Sequence, residues 1–196
     1  MEKDGNCIDS IILDGINYDE YKKIVEIIVK NIMNWKDRVK SMNLNIIKDN
    51  IIDLSVDVEA IVNSANPFMS KGGGVCGAIH EAGGAEFTEY CIRQGGLRTG
   101  QCKITPGFNL PYQYVIHVLA PKYNKMSDPE FALYASYSNV IELALDNNIK
   151  SIAFPLLGAG HHGYTEEMSI DCAKNAFEKV TTDIKIYIVK LKVNNV

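Results

Sequence analysis

The sequence predicts an α/β sandwich around a largely buried, mixed sheet. Short apolar strands alternate with helical stretches along the chain. Neither an internal repeat nor a low-complexity linker interrupts them. An apolar fraction of 46% over 196 residues fills one sizeable core at about 100–200 residues per domain. From Tyr18 to about Met33, Tyr21, Ile24, Val25, Ile28, Val29 and Ile32 follow the spacing of an amphipathic helix. The strands follow at Leu44 to Ile47, Ala60 to Asn63, Cys102 to Thr105, Tyr114 to Leu119, Ile152 to Pro155 and Ile184 to Val189. Helices are expected at Val75 to Ala82, Ala85 to Arg93, Pro129 to Asn147 and Glu166 to Val180, the last with Met168, Cys172, Ala176 and Val180 on one face. Residues 1–42 are expected to form a helical extension packed on a domain of residues 43–196. The chain stops at Val196 soon after its last strand, so any closing helix is missing or the chain is a trimmed piece.

Against 20 Lys+Arg stand 24 Asp+Glu, a net charge of -4, so the chain lacks the cationic excess of a nucleic-acid binder. Five cysteines, Cys7, Cys76, Cys91, Cys102 and Cys172, are an odd number without a CxxC pair. They read as free thiols in a reducing compartment, and neither a disulfide framework nor a zinc site is expected. The polar N-terminus is no signal peptide, and no apolar run approaches the ~18 residues of a membrane span. A cytoplasmic, soluble protein without a membrane partner is expected.

Two loops fit G-x-G-x-x-G: Gly72-Gly73-Gly74-Val75-Cys76-Gly77 and Gly158-Ala159-Gly160-His161-His162-Gly163. Each is placed after a strand and before a helix, where glycine lets backbone N–H groups approach an anion and a helix N-terminus adds partial positive charge. One such loop reads equally well as a tight turn; the pair suggests a pyrophosphate held between them. A dinucleotide-binding dehydrogenase needs its loop directly off a strand and an acidic residue after the next strand, and neither loop meets this. The absence of G-x-x-x-x-G-K-S/T excludes a P-loop enzyme. Asn63-Ser64-Ala65-Asn66 ends a buried strand at its carboxyl end, where ligands of open α/β sheets sit. Asn66 is read as a ligand contact or as an Asn-Pro turn, and Asn63 as structural.

Val58 to Pro67, followed by Gly72 to His80, resembles the signature of the macrodomain family. Thr99-Gly100-Gln101 to Thr105 with Gly107 and Leu110, Tyr114 to Pro121, and Ser151 to Tyr164 occur in the family's order, so the resemblance runs from about Asn43 to Val189. It implies a three-layer α/β/α fold. The chain is most similar to the MacroD-type branch, which implies ADP-ribose or an ADP-ribosylated protein as partner. The implied activity is hydrolysis of ADP-ribosyl esters on proteins or of O-acetyl-ADP-ribose, a deacetylation; a module that reads ADP-ribose without turnover is the alternative.

Residue by residue, the resemblance implies that the backbone of Gly73 to Cys76 and of Gly158, Ala159, Gly160 and His161 surrounds the two phosphates, with Ala65, Gly72 and Leu157 also binding ADP-ribose. Ala65 lies beside Asn66, which matches the asparagine that bonds the distal ribose. His162 stands where the family has an aromatic residue against that ribose, Ile51 would cap a phosphate, and Asn50 falls at the adenine-reading aspartate, with Asp49 just before it. Cys76 stands ten residues after Asn66, where the MacroD-type enzymes carry a water-activating aspartate. Some viral macrodomains that are hydrolases share this Gly-Val-Cys, which implies that the substrate's own phosphate positions the water. Cys76 is otherwise a reactive thiolate or a small buried packing residue. His80 and His117 read as core histidines, and the adjacent His161 and His162 cannot both grip a metal, so neither metal nor cofactor is expected.

Overall fold

A computed structural model of the chain describes residues 18–40, 44–180 and 183–191. Cys7 lies outside them. Two compact units divide between Ser41 and Met42. The first contributes α1 (Tyr18–Lys40), which runs past the expected end near Met33 and carries Asp19 and Glu20 in its first turn, where they complement the helix dipole.

The second unit holds a six-stranded mixed sheet. Its strands are β1 (Leu44–Asp49), β2 (Ala60–Ser64), β3 (Cys102–Pro106), β4 (Tyr114–Val118), β5 (Ser151–Pro155) and β6 (Lys185–Leu191). Their order is β1-β6-β5-β2-β4-β3, with only the β3–β4 pair antiparallel. From β2 the chain moves toward β4, then returns across the sheet to β5 and continues outward to β6. The carboxyl ends of β5, β2 and β4 therefore share one edge at a point where the winding reverses, the usual place for a ligand in an open α/β sheet.

Strand alternation divides the core in two. Ala60 and Val62 of β2, Ile116 and Val118 of β4, and Ile152 and Phe154 of β5 pack with α3 (Pro129–Asp146) and α4 (Glu166–Phe177). On the other face Ile61, Val115 and Ala153 pack with Ile79, Phe87 and Cys91 of α2 (Gly74–Arg93). Helices thus cover both faces of the sheet, giving three layers.

Local signals explain most boundaries. The two helical stretches expected before and after residues 83 and 84 are the two halves of α2, which kinks at Gly84 (φ 88°, ψ -179°). Asp128 caps α3 by accepting from Phe131 N–H at 3.0 Å, with Pro129 in its first turn. Thr165 caps α4 by accepting from Met168 N–H at 3.1 Å. That helix stops at Phe177 and β4 at Val118, short of the expected Val180 and Leu119. Among the described residues no helix is long and apolar enough to cross a membrane.

Candidate functional site

A cleft of about 630 Å³ opens at the carboxyl ends of β5, β2 and β4. Ser64 to Pro67 reach it from β2, Gly72 to Cys76 from the turn into α2, Leu119, Ala120, Lys122, Lys125 and Met126 from the segment after β4, and Pro155 to His162, without Leu157 and Gly160, from β5. Both glycine loops, Asn66, Cys76 and His162 therefore meet in one place. Leu157 is fully buried beneath the second loop, where its N–H donates to Tyr137 Oη at 2.9 Å and its carbonyl accepts from Ser169 at 2.7 Å.

The first loop presents an open helix end. Gly73 provides no side-chain cap, and Gly77 N–H to Gly73 O at 3.2 Å closes the first turn of α2. The N–H groups of Gly74, Val75 and Cys76 consequently have no intrahelical partner and carry the positive end of the dipole. Gly77 must lack a side chain, because a Cβ there would stand 2.5 Å from Gly72 O.

The second loop works differently from expectation. The start of α4 is capped by Thr165 and followed by Glu166 and Glu167, so its dipole is already engaged. The loop instead turns on Gly158 (φ 75°) and Gly160 (φ 105°), tied by Tyr164 N–H to Gly158 O at 3.3 Å. Among the described residues the N–H groups of Gly158, Gly160 and His161 bond to no protein acceptor.

Asn66 organises the loop between the two motifs. Its Oδ1 accepts from Phe68 N–H at 3.0 Å and from Ser70 N–H and Oγ–H, each at 3.3 Å, while Nδ2 donates to Ser70 O at 2.6 Å. The carbonyl end is thereby saturated, and one amide N–H remains for a ligand. Met69 adopts φ 53° within this loop and is fully buried, so burial of its side chain offsets the left-handed backbone. Cys76 Sγ donates to the same Ser70 carbonyl at 3.6 Å. A Cβ built on Gly72 would lie 3.3 Å from Asn66 Nδ2 and 3.4 Å from Cys76 Sγ, so both side chains flank that glycine.

Behind Cys76 lies a buried polar relay. Asn63 Nδ2 stands 3.8 Å from Cys76 Sγ and 3.1 Å from His117 Nδ1, and His117 Nε2 is 3.0 Å from Thr105 Oγ1. Asn63 donates to Nδ1, so the ring proton sits on Nε2, directed at Thr105. Burial first, and His80 second, hold the His117 pKa down to about 3, so this imidazole is neutral. Thr88 Oγ donates to Gly84 O at 3.2 Å, which leaves it to accept from His80 Nδ1 at 3.0 Å. Burial, then Lys71, lowers the His80 pKa as well. His80 and His117 are core histidines.

His162 is anchored from two sides: its Nδ1 donates to Pro121 O at 3.1 Å and its carbonyl accepts from Tyr123 N–H at 2.8 Å. These bonds clamp the turn Tyr123–Lys125 against the second loop. Asn50 and Ile51 do not line the cleft but stand just beyond the carboxyl end of β1, two strands past β5. Asn50 Oδ1 accepts from Ile52 N–H at 3.3 Å, and the Asp49 carboxylate accepts from Ser55 N–H and Oγ–H at 2.8 and 2.6 Å. Among the described residues no three His, Cys, Asp or Glu side chains converge as a metal site, and the four described cysteines are free thiols.

Sequence reasoning missed Ser70, Thr99, Lys122, Lys125 and Met126. The Lys122 to Met126 segment could have been found from the rule that placed Asn66, since it follows β4 as Asn66 follows β2. Ser70 carries no such signal, because its carbonyl acts through backbone geometry.

A profile of the family described as Macro domain matches residues 62–173. The Macro domain-containing protein RSc0334 of Ralstonia nicotianae is 38% identical over 147 residues, 74% of this chain and 85% of that protein. ADP-ribose glycohydrolase MACROD2 of Xenopus laevis is 41% identical over 120 residues, 60% of this chain but 29% of that protein. The Oceanobacillus iheyensis macrodomain with ADP superposes with a TM-score of 0.69 at 32% identity, covering 76% of this chain and 82% of that one. A variant of that protein solved with ADPR gives a TM-score of 0.69 at 31% identity over 76% and 84% of the chains.

Proposed function

The chain belongs to the Macro domain family, and from that premise we propose that it binds ADP-ribose in this cleft and hydrolyses ester-linked ADP-ribose on proteins or O-acetyl-ADP-ribose. The observation that carries the reading is the set of unpartnered backbone N–H groups. Gly74, Val75 and Cys76 at the open start of α2 share one cleft with Gly158 and His161. Such a cradle suits a diphosphate, and among the described residues no carboxylate lines the cleft to repel it. The relatives support the choice of ligand, since one is named for ADP-ribose hydrolysis and related structures hold ADP or ADPR.

In this reading the diphosphate lies between the loops, with the distal ribose beside Asn66 and His162. The remaining Asn66 amide N–H donates to a ribose hydroxyl, and His162 packs against the sugar. The adenine end extends over β6 toward Asn50 and Ile51. Among the described residues no carboxylate lines the cleft, so no acidic side chain stands ready to activate water. Hydrolysis then proceeds by attack of a water held by the substrate's phosphate and the loop N–H groups, the acyl group departing as a carboxylic acid.

A second reading, an ADP-ribose reader without turnover, is favoured by one observation. The Cys76 S–H points at Ser70 O, so the side chain at the usual place of the activating acid is engaged in packing. Release of ADP-ribose from a mono-ADP-ribosylated protein, assayed beside calorimetric binding of free ADP-ribose, decides between them. Both signals are expected. Tight binding without release selects the reader, and absence of binding overturns both.

A further inference from the structure

Among the described residues the cleft has two formal charges in its lining, and both are positive: Lys122 and Lys125. Lys122 precedes and Lys125 ends the turn that follows β4, three residues apart, with Lys125 N–H bonded to Lys122 O at 3.0 Å. Both are exposed, and among the described residues neither forms an ion pair. The nearest acidic residue in the chain, Asp128, has its carboxylate turned to the N-terminus of α3. In a chain of net charge -4, this is a local positive rim against an acidic background.

Position gives the rim its meaning. Lys122 lies between Pro121, whose carbonyl holds His162 Nδ1, and Tyr123, whose N–H holds the His162 carbonyl. The backbone at Lys122 is thereby tied to His162, and Lys125 stands one turn further on. The proposed function puts the distal ribose there, and the bond to the acceptor leaves from that ribose. The diphosphate, in contrast, is already served by backbone N–H groups of the two loops.

We propose that Lys122 and Lys125 select acidic peptide segments as the acceptors of the ADP-ribose that this cleft takes, an inference that rests on the proposed function. Flanking residues in an extended peptide lie about 3.3–3.6 Å apart, so carboxylates one to three positions from the modified side chain fall within reach of two lysines on one turn. Lysine suits this task. Its ammonium is a point charge on a flexible stem, able to meet carboxylates at scattered positions along a peptide.

The test uses the full chain and two synthetic peptides carrying ADP-ribose through a non-cleavable amide link, one flanked by aspartates and glutamates, the other by serines and glycines. Calorimetry at low and moderate salt gives affinities for both peptides and for free ADP-ribose, so the outcome does not depend on turnover. The acidic peptide is expected to bind about tenfold tighter than the neutral one, with the advantage shrinking as salt rises. In the Lys122→Gln/Lys125→Gln double variant that preference should fall below about twofold. Equal affinities in the wild type overturn the inference. So does a double variant that weakens both peptides and free ADP-ribose alike, since the lysines would then serve the diphosphate. Tighter binding of an ADP-ribose dimer than of the acidic peptide also overturns it, in favour of a nucleotide polymer. No binding of free ADP-ribose by the wild type removes the proposed function and this inference with it.

Discussion

At the scale of single residues the site is governed by how completely each polar group is already used. Asn66 has its carbonyl oxygen saturated by the 66–70 loop, so its side chain is held rigidly with one N–H to offer. Asn66→Ala should therefore lower turnover of an ADP-ribosyl ester by on the order of 100-fold, because loop and ribose lose their common anchor. Cys76→Ala removes two weak thiol contacts, to Ser70 O at 3.6 Å and from Asn63 Nδ2 at 3.8 Å, and should cost less than about fivefold. Steady-state kinetics on both variants check this. Abolished turnover in Cys76→Ala, with iodoacetamide inactivating the wild type and ADP-ribose protecting it, would identify a reactive thiolate instead. His162 is clamped through backbone as well as ring, so His162→Tyr should keep most of its ADP-ribose affinity and give up about 0.5–1.5 kcal/mol of stability with the Pro121 bond. Turnover lost entirely while binding persists would assign proton transfer to the imidazole.

At the scale of elements the two glycine loops reach the same chemistry by different means, an uncapped helix start in one and left-handed glycines in the other. Gly74 and Gly160 have nothing within 4 Å of a built Cβ, so Gly74→Glu and Gly160→Glu meet only the backbone strain of φ 54° and 105°. Each carboxylate then stands among donors meant for phosphate, and calorimetric affinity for ADP-ribose should fall at least tenfold while the protein stays folded. Unchanged affinity in both would sink the diphosphate assignment. Gly158→Ala tests the fold of the loop itself. Its Cβ would meet the Tyr164 ring at 2.6 Å at φ 75°, so thermal unfolding should move down by several degrees, along with ADP-ribose affinity.

At the scale of the whole molecule the relay from Thr105 through His117 to Asn63 ties the antiparallel edge of the sheet to the head of α2. His117 also makes stability depend on pH. Its folded pKa is depressed to about 3, so above the unfolded value near 6.5 the ring is neutral in both states and no penalty arises. Between those values the unfolded chain takes up a proton that the folded protein refuses. Stability is therefore lost as pH falls from about 6.5 toward 3, by up to about 1.4 kcal/mol per pH unit. Urea unfolding at pH 7 and pH 5 should show the loss, and His117→Gln should flatten it; an equally steep wild-type and variant would place the effect elsewhere.

The sequence by itself determined the alternation of strands and helices, the break of α2 at Gly84 and the meeting of Asn66, Cys76 and two glycine loops at one strand edge. These features depend on local causes: apolar periodicity, glycine conformations and the ten residues from Asn66 to Cys76. Tertiary structure alone decided the rest. That the second loop owes nothing to a helix dipole follows from where Thr165 caps α4. That Ser70 O joins Asn66 and Cys76 follows from a left-handed turn at Met69, which burial of that side chain in the core supports. The lysine rim exists because Pro121 and Tyr123 close on His162 across 41 and 39 positions of sequence. Contacts at such separations leave no periodicity in the chain, since each depends on how the sheet returns from β4 to β5 and not on the residues beside it.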